Sequence, residues 1–256
     1  MRVVLASAFV HLRMMAVERF TYAALIGQPL LIATASIFML RNRPDFDAIY
    51  VVVGTVLTGL WTQALLFNSR VINVDRFTGR LEYLEASPAP LFGVAAGRAG
   101  SALVFSGGAA VVAYIVAAWL FGYGLAISDP ASFSLSAGLA VLSLLAVGML
   151  LAPLSFRWIA FGGFLSGLEY PVYVLSGFLF PVLLLPGWLE PFSYVLPPYW
   201  AARALHATSS GSTSTDQLGL YWLLLLLSSL AALALARWLF AYFLDRTRRY
   251  GLLGAV

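Results

Sequence analysis

The chain has 256 residues, 61% of them hydrophobic and 10% charged, with a formal net charge of +4, a sequence pI near 9.5 and no cysteine. A soluble domain carries about 25% charged residues, so this composition, with a mean hydropathy of +0.90, excludes an ordinary soluble domain and marks a membrane protein. The lack of cysteine excludes a disulfide framework and any cysteine-based metal or redox site, and no basic patch interleaves with aromatics as an RNA binder requires, so nucleic acid is not an expected partner.

The first twenty residues, "MRVVLASAFVHLRMMAVERF", are interrupted by His11, Arg13, Glu18 and Arg19 before any cleavage region could form. They predict an amphipathic helix over 1–20 lying on the cytoplasmic face rather than a signal peptide. Six apolar runs follow, over 21–41, 48–68, 99–122, 132–153, 158–179 and 219–243, each long enough to cross a hydrocarbon core of about 30 Å as a helix. Uninterrupted runs such as "YWLLLLLSSLAALALARWLF" cannot alternate lipid-facing with lumen-facing positions, which rules against a β-barrel. The expected fold is all-α with six transmembrane helices, a single membrane domain over 1–256 with only short outside loops, "RNRPDFD" and "GYGLAISDP". No inverted repeat of the kind found in many secondary transporters is evident.

Basic residues fix the expected orientation. Arg2, Arg13, Arg19, Arg70, Arg76, Arg80, Arg98, Arg157, Arg237, Arg246, Arg248 and Arg249 fall on one side, and Arg41, Arg43 and Arg203 on the other. Both termini are therefore expected in the cytoplasm, with the basic face toward anionic lipid.

Between the fifth and sixth runs, Pro181, Pro186, Pro191, Pro197 and Pro198 recur too often for one spanning helix, because interior proline removes a hydrogen bond and clashes with the preceding turn. Trp188, Tyr194, Tyr199 and Trp200 are rings of the type found at membrane interfaces. The stretch over 180–208 is read as short helices dipping back from the outer face, followed by a flexible "TSSGSTSTD" loop.

The segment over 69–92, between the second and third runs, contains "RFTGRLEYLEASP" at 76–88. On a helix, Phe77, Leu81 and Leu84 make an apolar stripe. Arg76, Arg80, Tyr83 and Ser87 share a second face, Asp75, Glu82 and Glu85 lie on the opposite flank, and Pro88 ends the helix. One reading is a helix resting on the bilayer surface; the acidic flank favours docking into the groove of a cytoplasmic protein.

These residues resemble those of the ABC-2 type transporter permeases, which carry a cytoplasmic segment of the form E-R/K-x-x-G-T-L-E-x-L-x-x-S-P between spans two and three. Gly79, Leu81, Glu82, Leu84, Ser87 and Pro88 match it, while Arg80 stands where threonine is usual and Asp75 where the first acidic residue lies. A second match is S-G-x-x-F-P, L-P-x-W-L and a later P-x-Y/W, carried by Ser176, Gly177, Pro181, Leu185, Pro186, Trp188, Leu189 and Pro197. The resemblance implies a half-transporter: two permease chains side by side, each receiving a separate P-loop ATPase subunit. Phe77, Arg80, Leu81, Glu82, Leu84, Glu85, Ser87 and Pro88 would form the coupling helix, and Pro181, Pro186, Trp188 and Pro197 an extracytoplasmic gate. ATP and Mg would be bound by the partner, since a P-loop needs a lysine and this sequence contains none. The implied location is the cytoplasmic (inner) membrane of a prokaryote.

Within the runs, Glu169 is a charged side chain at mid-membrane, which costs roughly 2.5 to 3.5 kcal/mol on insertion scales. Ser166, Glu169, Tyr173 and Ser176 share its face, beside Pro171, and Thr55, Thr58 and Thr62 make a stripe on the second run near Trp61 and Gln63. The residues alone are equally compatible with helix-to-helix hydrogen bonding. The resemblance makes spans two and five the walls of a substrate path, so Glu169 would meet a cationic or hydroxylated substrate, fix the gate, or pair with an arginine of the second chain. Gly93 with Gly97 and Gly163 with Gly167 are spaced for close helix contact. His11 and His206 are lone histidines without metal-ligand spacing.

Rival classes are an intramembrane hydrolase built on Ser166 or Ser176, a proton-coupled transporter using Glu169, and a passive channel. The hydrolase lacks a base, because neither histidine falls within a predicted span. Among ABC-2 substrates, which include drugs, antibiotics, lipids and polysaccharides, the short outside loops and aromatic-rich apolar path favour export of an amphiphilic drug or antibiotic.

Overall fold

The structure is a computed structural model that describes residues 2–17, 19–42, 48–67, 90–122, 127–156, 161–179, 181–211 and 214–250. All regular elements among them are helical. In chain order they are α1 (Arg2–Val17), α2 (Arg19–Leu40), α3 (Ala48–Thr62, continued by a π-helical turn Gln63–Phe67), α4 (Leu91–Ile115, with a second π turn Val116–Leu120) and α5 (Pro130–Leu151, ending in a 3-10 turn Ala152–Phe156). After these come α6 (Phe161–Leu175), a 3-10 turn Val182–Leu184, α7 (Glu190–Val195), α8 (Pro197–Ser210) and α9 (Thr215–Tyr250).

Four segments among the described residues are long and apolar enough to cross a membrane: Ala48–Leu65, Leu91–Trp119, Pro130–Leu154 and Thr215–Phe243. The regions of the expected first and fifth spans are also helical, as α2, of 22 residues, and α6, of 15, but neither is among those four. Boundaries differ from the sequence reading in three places. The third long helix begins at Leu91 rather than 99, because Arg98 depresses local hydropathy although the Gly/Ala-rich turn before it is helical. The fifth ends at Leu175, because Gly177 adopts φ of +68° and turns the chain. The last continues to Tyr250, giving a helix roughly 54 Å long at 1.5 Å per residue.

The helices are sorted by which face carries small or packed residues. On α9, Leu225, Ser229, Ala232, Ala236 and Phe240 are buried, while Leu220, Leu223, Leu227, Leu230 and Trp238 are exposed. An apolar outer face is what a hydrocarbon solvent rewards. The helix α3 is buried on nearly every side and carries the core, in which Leu57, Trp61 and Leu65 meet Leu144 of α5, Phe178 and Leu205 of α8. The start of α5 is fixed by Asp129, whose side chain accepts from the backbone N–H of Ala131 and Ser132 as an N-cap. Its hydrogen bonds with Ser132 hold the carboxyl below the usual carboxylate range.

Two glycines allow close backbone approach. A Cβ on Gly54 of α3 would overlap the carbonyl oxygen of Phe178, so the turn after α6 rests directly on α3. A Cβ on Gly97 of α4 would overlap the Val4 carbonyl of α1 and lie 3.0 Å from Ser7 Cβ. There α1 is seated on α4, with Ser7 Oγ donating to Val94 O at 2.8 Å and His11 Nδ1 sharing a 2.7 Å hydrogen bond with Ser101 Oγ. The close contact expected at Gly93 and Gly97 is therefore with α1. Gly167 has nothing within 4 Å, so it makes no such contact within the described chain, because its face of α6 points outward.

Gly97→Ala is expected to lower stability by about 1 to 3 kcal/mol, the usual penalty of forcing an atom into a packed contact. Gly107→Ala on the same helix, with nothing within 4 Å, is expected to be neutral or slightly stabilising. Thermal unfolding of the two variants in one detergent checks the contrast.

Candidate functional site

The coupling residues Phe77, Arg80, Leu81, Glu82, Leu84, Glu85, Ser87 and Pro88 lie outside the described residues. The chain enters that segment after the π turn of α3 and leaves it at Pro90, where α4 begins beside α1.

The polar stripe of the second and fifth runs resolves into two groups. Thr55 and Thr58 are 0% exposed, and their hydroxyls donate to carbonyls of their own helix, Val51 and Thr55, each at 2.8 Å. That is the usual way a hydroxyl is satisfied in an apolar helix. Thr62 lies 3.0 Å from the Thr58 carbonyl of its own helix and also reaches across helices. Its Oγ1 lies 2.5 Å from Glu169 Oε1 and 2.6 Å from Tyr173 Oη, and it accepts from Gln28 Nε2 at 3.0 Å. Tyr173 donates to the same Oε1 at 2.5 Å. One carboxyl oxygen thus gathers two hydroxyls, while Gln28 supplies the N–H that Thr62 accepts.

The cluster joins α2, α3 and α6 at the position where α3 changes to π geometry, since Thr62 is the last residue before the π turn. Such turns offset the side chains that follow and are frequent at functional sites. Glu169 and Tyr173, 8% and 6% exposed, are held in the core of the chain. Pro171 lies between them in the helix and cannot donate a backbone N–H. Trp61, 1% exposed, packs nearby with its indole N–H buried and lacking a hydrogen-bond partner among the described residues. The backbone of Ser166 belongs to α6, and its side chain lies outside the described residues.

Ser176 does not join Glu169. It follows the end of α6, in the turn made by Gly177, and lines a cavity of about 220 Å³ at the opposite end of α3, together with Tyr50, Tyr199, Arg203, His206 and Tyr221. Tyr50 donates to the Gly177 carbonyl at 3.0 Å and stacks on the His206 ring at 3.6 Å. Burial pushes the His206 pKa down to about 3, against the carbonyls of Phe178 and Gly177, which favour the charged form. The ring is neutral at ordinary pH. The histidine that the sequence presents as isolated therefore shares a cavity with Ser176, although no hydrogen bond joins them.

The expected gate residues spread around this end. Pro181 lines the cavity, Pro186 and Trp188 are exposed, and Pro197 is buried in the first turn of α8, where its missing N–H costs nothing. Sequence reasoning missed Gln28, Tyr50 and the grouping of Arg203 with His206. Gln28 carried a usable signal, being an amide in the middle of an apolar run; the others meet only through the packing of α3 against α8.

A family model described as ABC-2 type transporter matches residues 4–209, and the chain belongs to that family. It is a multi-pass membrane protein and a transport component, not itself catalytic. No match is found among the curated proteins.

Thr62→Val leaves Glu169 with one hydroxyl fewer and strands the Gln28 amide, and is expected to cost about 1 to 3 kcal/mol. Combined with Tyr173→Phe, the losses should be non-additive by more than about 0.5 kcal/mol, because both hydroxyls act on one oxygen. A double-mutant cycle of detergent unfolding measures it.

Proposed function

We propose that the chain is the permease subunit of an ATP-driven exporter that moves an amphiphilic small molecule, a drug or antibiotic, outward across the cytoplasmic membrane of a prokaryote. The observation that carries the reading is membership of the ABC-2 family over residues 4–209, in a sequence whose lack of lysine leaves ATP and Mg to a separate P-loop subunit. The distribution of arginines supports six spans, cytoplasmic termini and an outer face carrying the cavity. Two such chains, identical or different, would enclose the path.

In this reading 76–88 is the coupling helix. Phe77, Leu81 and Leu84 insert into a groove of the ATPase, while Arg80, Glu82 and Glu85 set register by charge. Motion enters at the end of the bundle where α3 leads into the segment and α4 leaves it beside α1. The Glu169 cluster acts as a latch holding α6 to α2 and α3, and α6 moves as a body when ATP closes the ATPase pair. The exposed helix α7, the packed helix α8, Trp188 and the prolines at 181, 186 and 197 form the outer gate. The apolar, aromatic-rich bundle supports the choice of an amphiphile over a glycan.

Leu81→Asp is expected to release the ATPase while leaving the permease folded. Affinity purification from native membranes in mild detergent, wild type beside the variant, with mass spectrometry of the accompanying proteins, checks this. A P-loop ATPase lost from the variant supports the coupling assignment; no ATPase with either form, or ATP-driven export unchanged by the variant, overturns it.

A further inference from the structure

The cavity between the start of α3, the turn after α6 and the helix α8 has a one-sided chemistry. Among the described residues that line it, Arg203 is the one cation and there is no carboxylate. The guanidinium lies 5.6 Å from the Tyr199 ring centre and 5.2 Å from that of Tyr221. Two rings thus support one planar cation, which favours arginine over lysine. No described carboxylate forms an ion pair with it. Glu190, whose charge reaches Tyr199, is engaged by Tyr194 Oη at 3.4 Å and does not line the cavity.

Deeper in, Ser176 is 1% exposed and its hydroxyl has no hydrogen-bond partner among the described residues. The ring nitrogens of His206 are buried too, and they lie against the backbone carbonyls of Phe178 and Gly177 without a hydrogen bond of ordinary geometry. Buried polar groups are hydrogen-bonded in the great majority of proteins, so an unsatisfied Ser176 hydroxyl at a cavity whose exposed cation no described carboxylate pairs points to a ligand that supplies acceptors. A serine hydroxyl donates once, and the guanidinium offers a fork that fits a planar or tetrahedral oxyanion. At about 220 Å³ the cavity is smaller than the roughly 300 to 1,000 Å³ of drug-sized pockets. It has room for a head group, not for a whole amphiphile.

We propose that this cavity is a binding site for an oxyanion head group, a phosphate or carboxylate, with Arg203 as its counter-ion, Ser176 as the donor that orients it and the His206 ring in its wall. The aromatic walls of Tyr50, Tyr199 and Tyr221 cover the apolar neck of an attached amphiphile. Binding here needs neither ATP nor a partner subunit, so the proposal stands or falls independently of the exporter reading.

The test uses the whole chain in phosphatidylcholine nanodiscs with histidine labelled at ¹³Cε1. The sequence has two histidines, so the spectrum carries two signals, assigned with His206→Gln, and His11 serves as an internal control of folding. The probes are dodecyl phosphate, inorganic phosphate, and nanodiscs in which about a third of the lipid is phosphatidylglycerol; dodecyl maltoside is the neutral control. The expected result is a saturable shift of the His206 signal with His11 unmoved, weakened at least about tenfold in Arg203→Gln and several-fold in Ser176→Ala. A response to inorganic phosphate identifies a free anion as sufficient, whereas a response only to dodecyl phosphate or phosphatidylglycerol identifies an amphiphile or lipid as the source; either supports the site. No His206 shift with any anionic probe, an equal shift with dodecyl maltoside, or equal affinity in an Arg203→Gln protein whose His11 signal is native overturns it.

Discussion

A polar group in hydrocarbon has no water to fall back on, and every other feature of this protein follows from that constraint. The backbone answers it by becoming helix wherever it is apolar. Side chains answer it in three ways that differ in consequence. Thr55 and Thr58 return their protons to their own helix and so leave no trace on tertiary structure. Gln28 and Thr62 spend theirs across helix boundaries, on Thr62 and on Glu169, Tyr173 joins the same carboxyl oxygen from within α6, and together they define how α2, α3 and α6 sit. Ser176 finds no partner within the described chain, and it is this hydroxyl that marks a place for something else.

Close packing does the remaining work, because burying apolar surface gains little when the surroundings are apolar too. The contacts that matter are those where backbone meets backbone. At Gly97 the helix α1 is brought against α4, and at Gly54 the turn containing Phe178 is brought against α3. The second contact explains the spacing of Ser176, Gly177 and Pro181. Gly177 supplies the left-handed turn that ends α6, Phe178 is driven fully into the core, and Pro181 opens the strand of chain that runs out over the cavity. A motif that reads in sequence as a string of small and cyclic residues is a corner that fixes two sites at once, the end of the Glu169 helix and the floor of the cavity.

The same corner separates residues that helical periodicity had placed together. Ser176 stands seven positions after Glu169 and would share its face if the helix continued. Since the helix stops at Leu175, Ser176 belongs to another neighbourhood, with Tyr50 and His206. Periodicity is a statement about one helix and loses force at its end. For the same reason His206 reads as isolated until α8 is packed against α3, 150 and more residues earlier in the chain.

Much was nevertheless determined by the sequence alone. Runs of apolar residues longer than a bilayer requires place the helices in all six expected regions, and the proline-rich stretch breaks into the short elements α7 and α8 because closely spaced prolines each remove a backbone hydrogen bond and fit best in a first turn. The family was legible in the spacing of a few residues, and the match over 4–209 bears that out. Tertiary structure alone decided which polar residues meet. Hydropathy counts residues without regard to direction, so it cannot tell Thr58, which donates to Thr55 of its own helix, from Thr62, which holds three helices. Nor can it bring Arg203, His206 and Ser176 to one cavity. That grouping depends on a glycine corner and on the packing of α8 against α3, which are relations between distant parts of the chain.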